Sequence, residues 1–323
     1  MKPSSLCASA APLAAVFMVL IVTPTPVMAS CGSAFCTVNT NWNAQLPLTD
    51  TGTRVDLRYE YIDQRQPWHD DHGVAVGTIP HHHDEVRTLN KNGILTIDHN
   101  FDANWGMTAV LPLVSRDHEH IHNHHGAKLL ETWEFTQPGD ARLLGRYQLQ
   151  GNHPANVFGV IAGTKLPTGD FRVKNGDGEL AERTLQPGTG TTDLLIGAFW
   201  NDTLPIPDSG WFVQVFGQAP LYKRAEFRPG YQLQIDLGYT YHPHDALALT
   251  LQLNTTRKGR DTGAEAEFED SGSWTLSLSP GASYALNANT NLYGFVQVPI
   301  YRHVNGVQLT ASWAALAGIS TRF

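Results

Sequence analysis

The chain has 323 residues, of which 41% are apolar, 16% charged and 10% aromatic, and its net charge is -8. Net acidity without a basic cluster argues against nucleic-acid binding. Three cysteines are too few for a disulfide-rich scaffold or a four-ligand zinc ribbon.

Residues 1–29 read as a signal peptide. Lys2 gives the positive start, "LAAVFMVLIV" (Leu13 to Val22) the apolar middle, and Val27 and Ala29 the small residues before a cleavage site after Ala29. The apolar run is shorter than the roughly twenty residues of a spanning helix. "MASC" loosely resembles a lipoprotein processing site, which would lipidate Cys31. The preferred reading is a local disulfide between Cys31 and Cys36, the two cysteines of the mature chain, since export leads to an oxidising compartment. Residues 30–52 are expected to form a short N-terminal periplasmic segment or plug.

From residue 53 onward the chain alternates apolar and polar residues with period two. "RVDLRYEYI" sets Val55, Leu57, Tyr59 and Tyr61 against Asp56, Arg58 and Glu60, and "YQLQIDLGYTY" and "ALALTLQLNT" behave alike. The polar faces are rich in Gln, Thr, Asn and Gly rather than Lys and Glu, which is unlike the wet face of a soluble sandwich. Aromatic residues gather at strand ends (Tyr59, Tyr61, Trp105, Trp211, Tyr239, Tyr241, Trp274, Tyr293, Trp313), as a membrane-interface girdle requires.

Strands are predicted near 53–62, 89–101, 105–116, 140–150, 156–166, 192–201, 210–221, 230–242, 245–257, 272–284, 291–302 and 308–323. Backbone groups in lipid must all be paired, so such strands have to close. The predicted fold is therefore all-β: a transmembrane antiparallel up-and-down β-barrel of twelve strands over residues 53–323, in the bacterial outer membrane. Short connections alternate with long ones at 63–88, 117–139, 167–191, 222–229, 258–271 and 303–307, the long ones being extracellular. Asp56, Arg58, Glu60, Arg142, Arg146, Lys165 and Asp236 fall on inward phases and are predicted to line a narrow polar lumen.

Of fifteen histidines, His69, His72, His81, His82, His83, His118, His120, His122, His124 and His125 lie in the first two long loops. Interleaved with Asp70, Asp71, Asp84, Glu85, Asp117 and Glu119, they suit zinc, nickel or copper. If the third strand continues above the membrane, His118, His120, His122 and His124 share its inward phase and line the mouth. The plainer reading is a hydrophilic loop that binds metal incidentally. No serine motif matches the outer-membrane phospholipases or proteases, and no catalytic residue is assigned.

Three stretches, "GTKLPTGDF" (Gly163 to Phe171), "LSLSPGASYAL" (Leu276 to Leu286) and "VPIYRHVNGVQL" (Val298 to Leu309), resemble motifs of an outer-membrane group. That family is named for a role in the meta-pathway of phenol degradation, and its members are often labelled transporters. "QPGDARLLGRYQL" and "RPGYQLQIDLGYTY" fit the same pattern, so the resemblance covers most of residues 53–323. It implies a barrel and a transporter-like role, and the histidine runs stand outside it. The ending "WAALAGISTRF" resembles the closing strand that the barrel-assembly machinery reads.

Locally, Gly169 of "PTGD" is able to take positive φ in a turn, Pro280–Gly281 are expected at a bend or bulge of the wall, and Asn305–Gly306 in a hairpin turn. The function expected is passive passage of a small solute through an outer-membrane channel bathed in lipid and lipopolysaccharide. No cofactor is required, although divalent metal is a candidate ligand. The alternative is a surface receptor for divalent metal (Zn, Ni or Cu) anchored by a closed barrel.

Overall fold

The computed structural model describes residues 30–31, 35–41, 51–77, 83–124, 127–153 and 155–323. Twelve strands form the wall: β1 (Gly52–Gln64), β2 (His83–Asn100), β3 (Trp105–His124), β4 (Arg142–Gln150), β5 (Val157–Lys165) and β6 (Asp193–Thr203). They continue with β7 (Ser209–Pro220), β8 (Gln232–His244), β9 (Leu247–Lys258), β10 (Ser273–Ala285), β11 (Thr290–Thr310) and β12 (Trp313–Arg322). Each pairs antiparallel with its sequence neighbours, and β12 returns to β1 with Trp313 opposite Asp63 and Arg322 opposite Arg54. The Thr53 and Phe323 backbones exchange two further hydrogen bonds, 2.8 and 3.2 Å, which complete the closure. Among the described residues the barrel wall itself has no open edge, the arrangement that avoids templating aggregation.

The period-two pattern has an immediate physical reading in the closed wall. Leu57, Leu111, Phe158, Ile196, Leu237, Leu251, Val298 and Ile319 are exposed on the outside. Alternate neighbours such as Glu60, Asn92, Gln148, Gln252 and Asp236 are buried within. So large an apolar outer surface is stable only against hydrocarbon. Two aromatic girdles bound it. Trp105 with Tyr147 and Trp200 with Trp211 mark the end with short turns; Tyr61 with Trp313 and Trp274 with Tyr301 mark the other. Tyr293 departs from the expected girdle. It is buried in the lumen, where its hydroxyl donates to Asp56 at 2.8 Å, because β11 places Leu292 rather than Tyr293 toward lipid.

Inward aromatic rings lie over glycines of neighbouring strands. A methyl group on Gly159, Gly238, Gly281 or Gly318 would enter the ring of Phe199, Phe212, Phe295 or Tyr293 respectively. Gly281 is therefore a seat for Phe295 rather than a bulge. The register of β10 on β11 shifts earlier, between Leu276 and Ser277.

The extracellular side differs most from the sequence expectation. Residues 117–139 are not a loop: the upper half of β3 pairs with an added strand, Ala127–Pro138, while its lower half pairs with β4. With the upper part of β2 this makes a sheet raised above the membrane on one side. Gln66–Asp70 pairs with the upper part of β11, skipping Asn305–Gly306. These two residues thus form a bulge within a strand, with Gly306 at φ 57°, and the chain turns instead at Ala311–Ser312.

Gly169, unlike Gly306, lacks a positive φ. Its role is close approach: a Cβ there would lie 2.8 Å from the Gly188 Cα and 3.0 Å from the Gly139 carbonyl carbon. Those three glycines bring both ends of the connection 166–192 together, and the connection folds inward over the lumen.

Candidate functional site: the lumen and its extracellular cover

Residues 35–41 run inside the barrel at mid-height, tied to the wall largely by side-chain amides. The Asn39 backbone donates to Gln252 Oε1 at 2.9 Å and accepts from Gln252 Nε2 at 2.9 Å. Thr37 O accepts from Gln234, Thr37 N donates to Gln297, and Cys36 N donates to Glu60. Asn39 and Asn41 reach Asp236 and Gln214 with their amide groups, and Arg58 donates to Thr40. Val38 packs on Tyr293, Phe295 and Leu316, with Cys36 beside them. Residues 30–31 pair with Gln308–Leu309 at the upper rim, so this stretch threads the barrel from above. The side chain of Cys31 is outside the described residues, and so is the disulfide expectation.

Every sequence-predicted lumen residue points inward. Asp56, Glu60, Arg146, Lys165 and Asp236 are buried, and Arg58 and Arg142 are half-buried. Arg58 pairs with Glu60 at 3.0 Å. Lys165 binds Asp140 at 2.8 Å and Asp193 at 3.3 Å. Asp140, which the sequence reading missed, is a hub: it also accepts from the backbone N–H groups of Gly169 and Thr189. The "PGD" and "PTGD" stretches thus pin the inward connection to the wall.

Two cavities flank the threaded segment. The upper one, about 310 Å³, is bordered by Phe35, Cys36 and Thr37 below and by residues 183–189 above. The lower one, about 490 Å³, opens toward the short-turn end between Arg54, Asn201, Phe212, Thr240 and Ser320. Arg58, Arg116, Arg142, Lys165, Arg183, Lys258 and Arg302 line the upper cavity, against one carboxylate, Asp140. Arg142 donates to the neutral Gln218 amide oxygen, and Arg183 and Arg302 donate to backbone carbonyls. Burial presses the Arg183 guanidinium below its ordinary range.

The histidines divide. His118 and His120 are buried on the inner face of the raised sheet, and His122 is half-buried beside them. His69 and His72, on the small hairpin at 66–73, touch each other and Asp70 and Asp71 near the solvent. His81, His82 and His125 are outside the described residues, as are the side chains of His83 and His124.

Around His118 and His120 gather Glu85, Glu131 and Glu182, of which sequence reasoning had noted only Glu85 as an interleaved acid. His118 Nε2 lies 3.7 Å from Glu85 Oε2 and 3.3 Å from His120 Nδ1, and His120 Nδ1 lies 3.8 Å from Glu182 Oε1. The ring edges pack on Trp133, whose indole N–H is held by the Glu179 carbonyl. Close by, the Glu267 carboxyl is pushed well above the usual range, first by burial and then by the charges of Glu182 and Glu85. A readable signal existed: continued upward, β2 and β3 put Glu85 opposite His120 and Thr88 opposite His118.

No family model matches the chain, and no curated protein matches it in sequence. Solved structures do match. The COG4313 outer membrane channel from Pseudomonas putida F1 superposes with a TM-score of 0.66 at 12% identity, over 88% of this chain and 99% of that one. The NanC porin follows with a TM-score of 0.45 at 11% identity, over 83% and 100%. Fold and outer apolar belt together define the class: a twelve-stranded barrel of the bacterial outer membrane, built like its channels.

Proposed function

We propose that the barrel is a channel for passive passage of small solutes, with a preference for anions. One observation carries the preference. Of the seven basic side chains that line the upper cavity, Arg58, Lys165 and Lys258 pair with Glu60, Asp140 and Asp261, while Arg142, Arg183 and Arg302 donate to neutral oxygens. Walls of low dielectric focus such a field and raise the local concentration of anions. The threaded segment and the covering connection keep the path narrow, which favours small molecules over oligomers. The motif resemblance supports placing the chain with the meta-pathway phenol-degradation group, whose transporter label agrees with a channel.

The test is a single-channel recording in planar bilayers under a potassium chloride gradient. The reversal potential should have the sign of chloride selectivity, and Arg142→Gln with Arg183→Gln should move it toward zero. A cation-selective or non-conducting parent barrel would overturn the reading. The receptor alternative has one observation in its favour, the buried histidine–glutamate group under the raised sheet.

A further inference from the structure

We propose that Glu85, His118 and His120, completed by Glu182, form a site for one divalent transition metal of the zinc class, fastening connection 166–192 to the raised sheet. The inference is independent of the channel reading: a barrel that fails to conduct could still bind metal here, and the reverse.

The geometry argues it first. Ligand atoms of Glu85, His118 and His120 all lie within 4.8 Å of one another. Four ligands about 2.0–2.1 Å from a tetrahedral zinc stand roughly 3.3 Å apart. His118 Nε2 already stands 3.3 Å from His120 Nδ1 and 3.7 Å from Glu85 Oε2, close to that figure, while Glu182, 3.8 Å from His120 Nδ1, would have to draw in to complete the set. Two imidazoles with two carboxylates form a donor set for zinc rather than for magnesium or calcium, which take oxygen.

The second argument is the outer shell. A ligating histidine presents one ring nitrogen to the metal and donates from the other, which fixes its tautomer. His118 faces the centre with Nε2 while its Nδ1 meets Thr88 Oγ1 at 2.8 Å. His120 faces the centre with Nδ1 while its Nε2 meets Glu131 Oε2 at 3.1 Å. Opposite nitrogens thus converge, and each remaining nitrogen has an acceptor. Glu131 is anchored in turn by His122 Nδ1 at 3.4 Å. His69 and His72 differ: they face solvent, and the carboxylates they touch, Asp70 and Asp71 at 3.5 Å, are exposed neighbours in sequence rather than buried supports.

The third is position. Glu85, His118, His120 and Glu182 are each less than a tenth exposed, so a bound ion would be held out of water. They come from β2, β3 and the inward connection, so one ion joins three segments distant in sequence.

The experiment uses the whole barrel in detergent, stripped with EDTA and titrated with zinc chloride against a chromophoric chelator. One tight equivalent per chain is expected, and cobalt should give the intense visible bands of a tetrahedral centre. Glu85→Gln, His118→Ala and His120→Ala should each weaken that equivalent by two orders of magnitude or more. Thr88→Val and Glu131→Gln, which touch only the supports, should weaken it about 10- to 100-fold. A barrel with His69, His72, His81, His82, His83, His124 and His125 all changed to alanine should keep it.

Heat-dependent gel migration checks that each variant folds, and Glu85→Gln preserves shape if a histidine variant does not. Zinc should also slow proteolysis within 166–192 in the parent and not in Glu85→Gln. The proposal is overturned if the parent binds no tight equivalent. It is equally overturned if the equivalent survives Glu85→Gln and His120→Ala but disappears with the exposed histidines, or if zinc leaves proteolysis unchanged.

Discussion

Asp140 holds together more of the extracellular half than any sequence feature announces. Its carboxylate faces Lys165 at 2.8 Å and accepts from two backbone N–H groups, with both charged side chains almost wholly buried. Removing one partner of a buried pair leaves the other uncompensated, at a cost of about 3–5 kcal/mol. Lys165 retains Asp193, so Asp140→Ala is expected near the lower end of that range. The effect should appear as faster proteolysis between residues 166 and 192, with the wall strands still resistant to detergent. Uniform loss of heat-dependent migration would instead show that the pair holds the wall itself. The aspartate was invisible as a hub because its partners are 25 to 49 residues away and two of them reach it through backbone N–H groups, which no side-chain pattern records.

At the scale of single elements, the strands were legible and the outer connections were not, for one physical reason. Lipid on one side and a polar lumen on the other force each wall strand to alternate, so eight of the twelve were placed within two residues at both ends. By contrast, β2, β3 and β11 run six to eight residues further on the extracellular side, and β12 begins at Trp313 rather than at residue 308. Above the membrane that constraint lapses. Ala127–Pro138 still buries Trp133 and Phe135 at a two-residue step, but its other face is polar and its inner face also carries Glu131, so the stripe is faint. Glu131 and Glu182 were missed as site residues on this account, while His118 and His120 followed from the phase of β3.

The short turns are governed locally. In the turn after β2, Asp102 accepts from the N–H groups of Asn104 and Trp105, both at 2.7 Å, and these bonds hold its carboxyl below the usual range. A depressed carboxylate stabilises the fold above its unfolded value, near 3.8, and the contribution is lost as pH falls through the lower folded value. Hydrogen-exchange protection of the Trp105 amide should therefore hold from neutrality down to about pH 4 and decline below it. Asp102→Ala should abolish that step. A step that persisted in the variant would assign it to another group.

For the molecule as a whole, closure is the decisive event, because a sheet with one unpaired seam cannot remain in hydrocarbon. The seam is β12 on β1, finished by the reciprocal bonds between Thr53 and Phe323. Deleting Phe323 removes both bonds and alters an ending that resembles the one read during assembly. Membrane fractions should then hold several-fold less heat-modifiable barrel, with total synthesis unchanged. Equal amounts would show that the terminal residue is dispensable and that the register of β12 suffices.

The meeting of Gly139, Gly169 and Gly188 has an engineering consequence. Because backbone touches backbone there, residues 170–187 leave the wall and return to it through one narrow neck. They form a cassette with one backbone neck that also packs on the strands, Val173 against Val114 and Phe135, and Ala181 and Leu185 against Trp133 and Leu309, so an exchanged sequence has to restore those contacts. The cassette carries both Arg183, on the lining of the upper cavity, and Glu182, beside the histidine cluster. Transplanting it into another barrel with the same glycine neck would carry those two side chains together, while Glu85, His118, His120 and the other six basic residues of the cavity would stay with the parent wall.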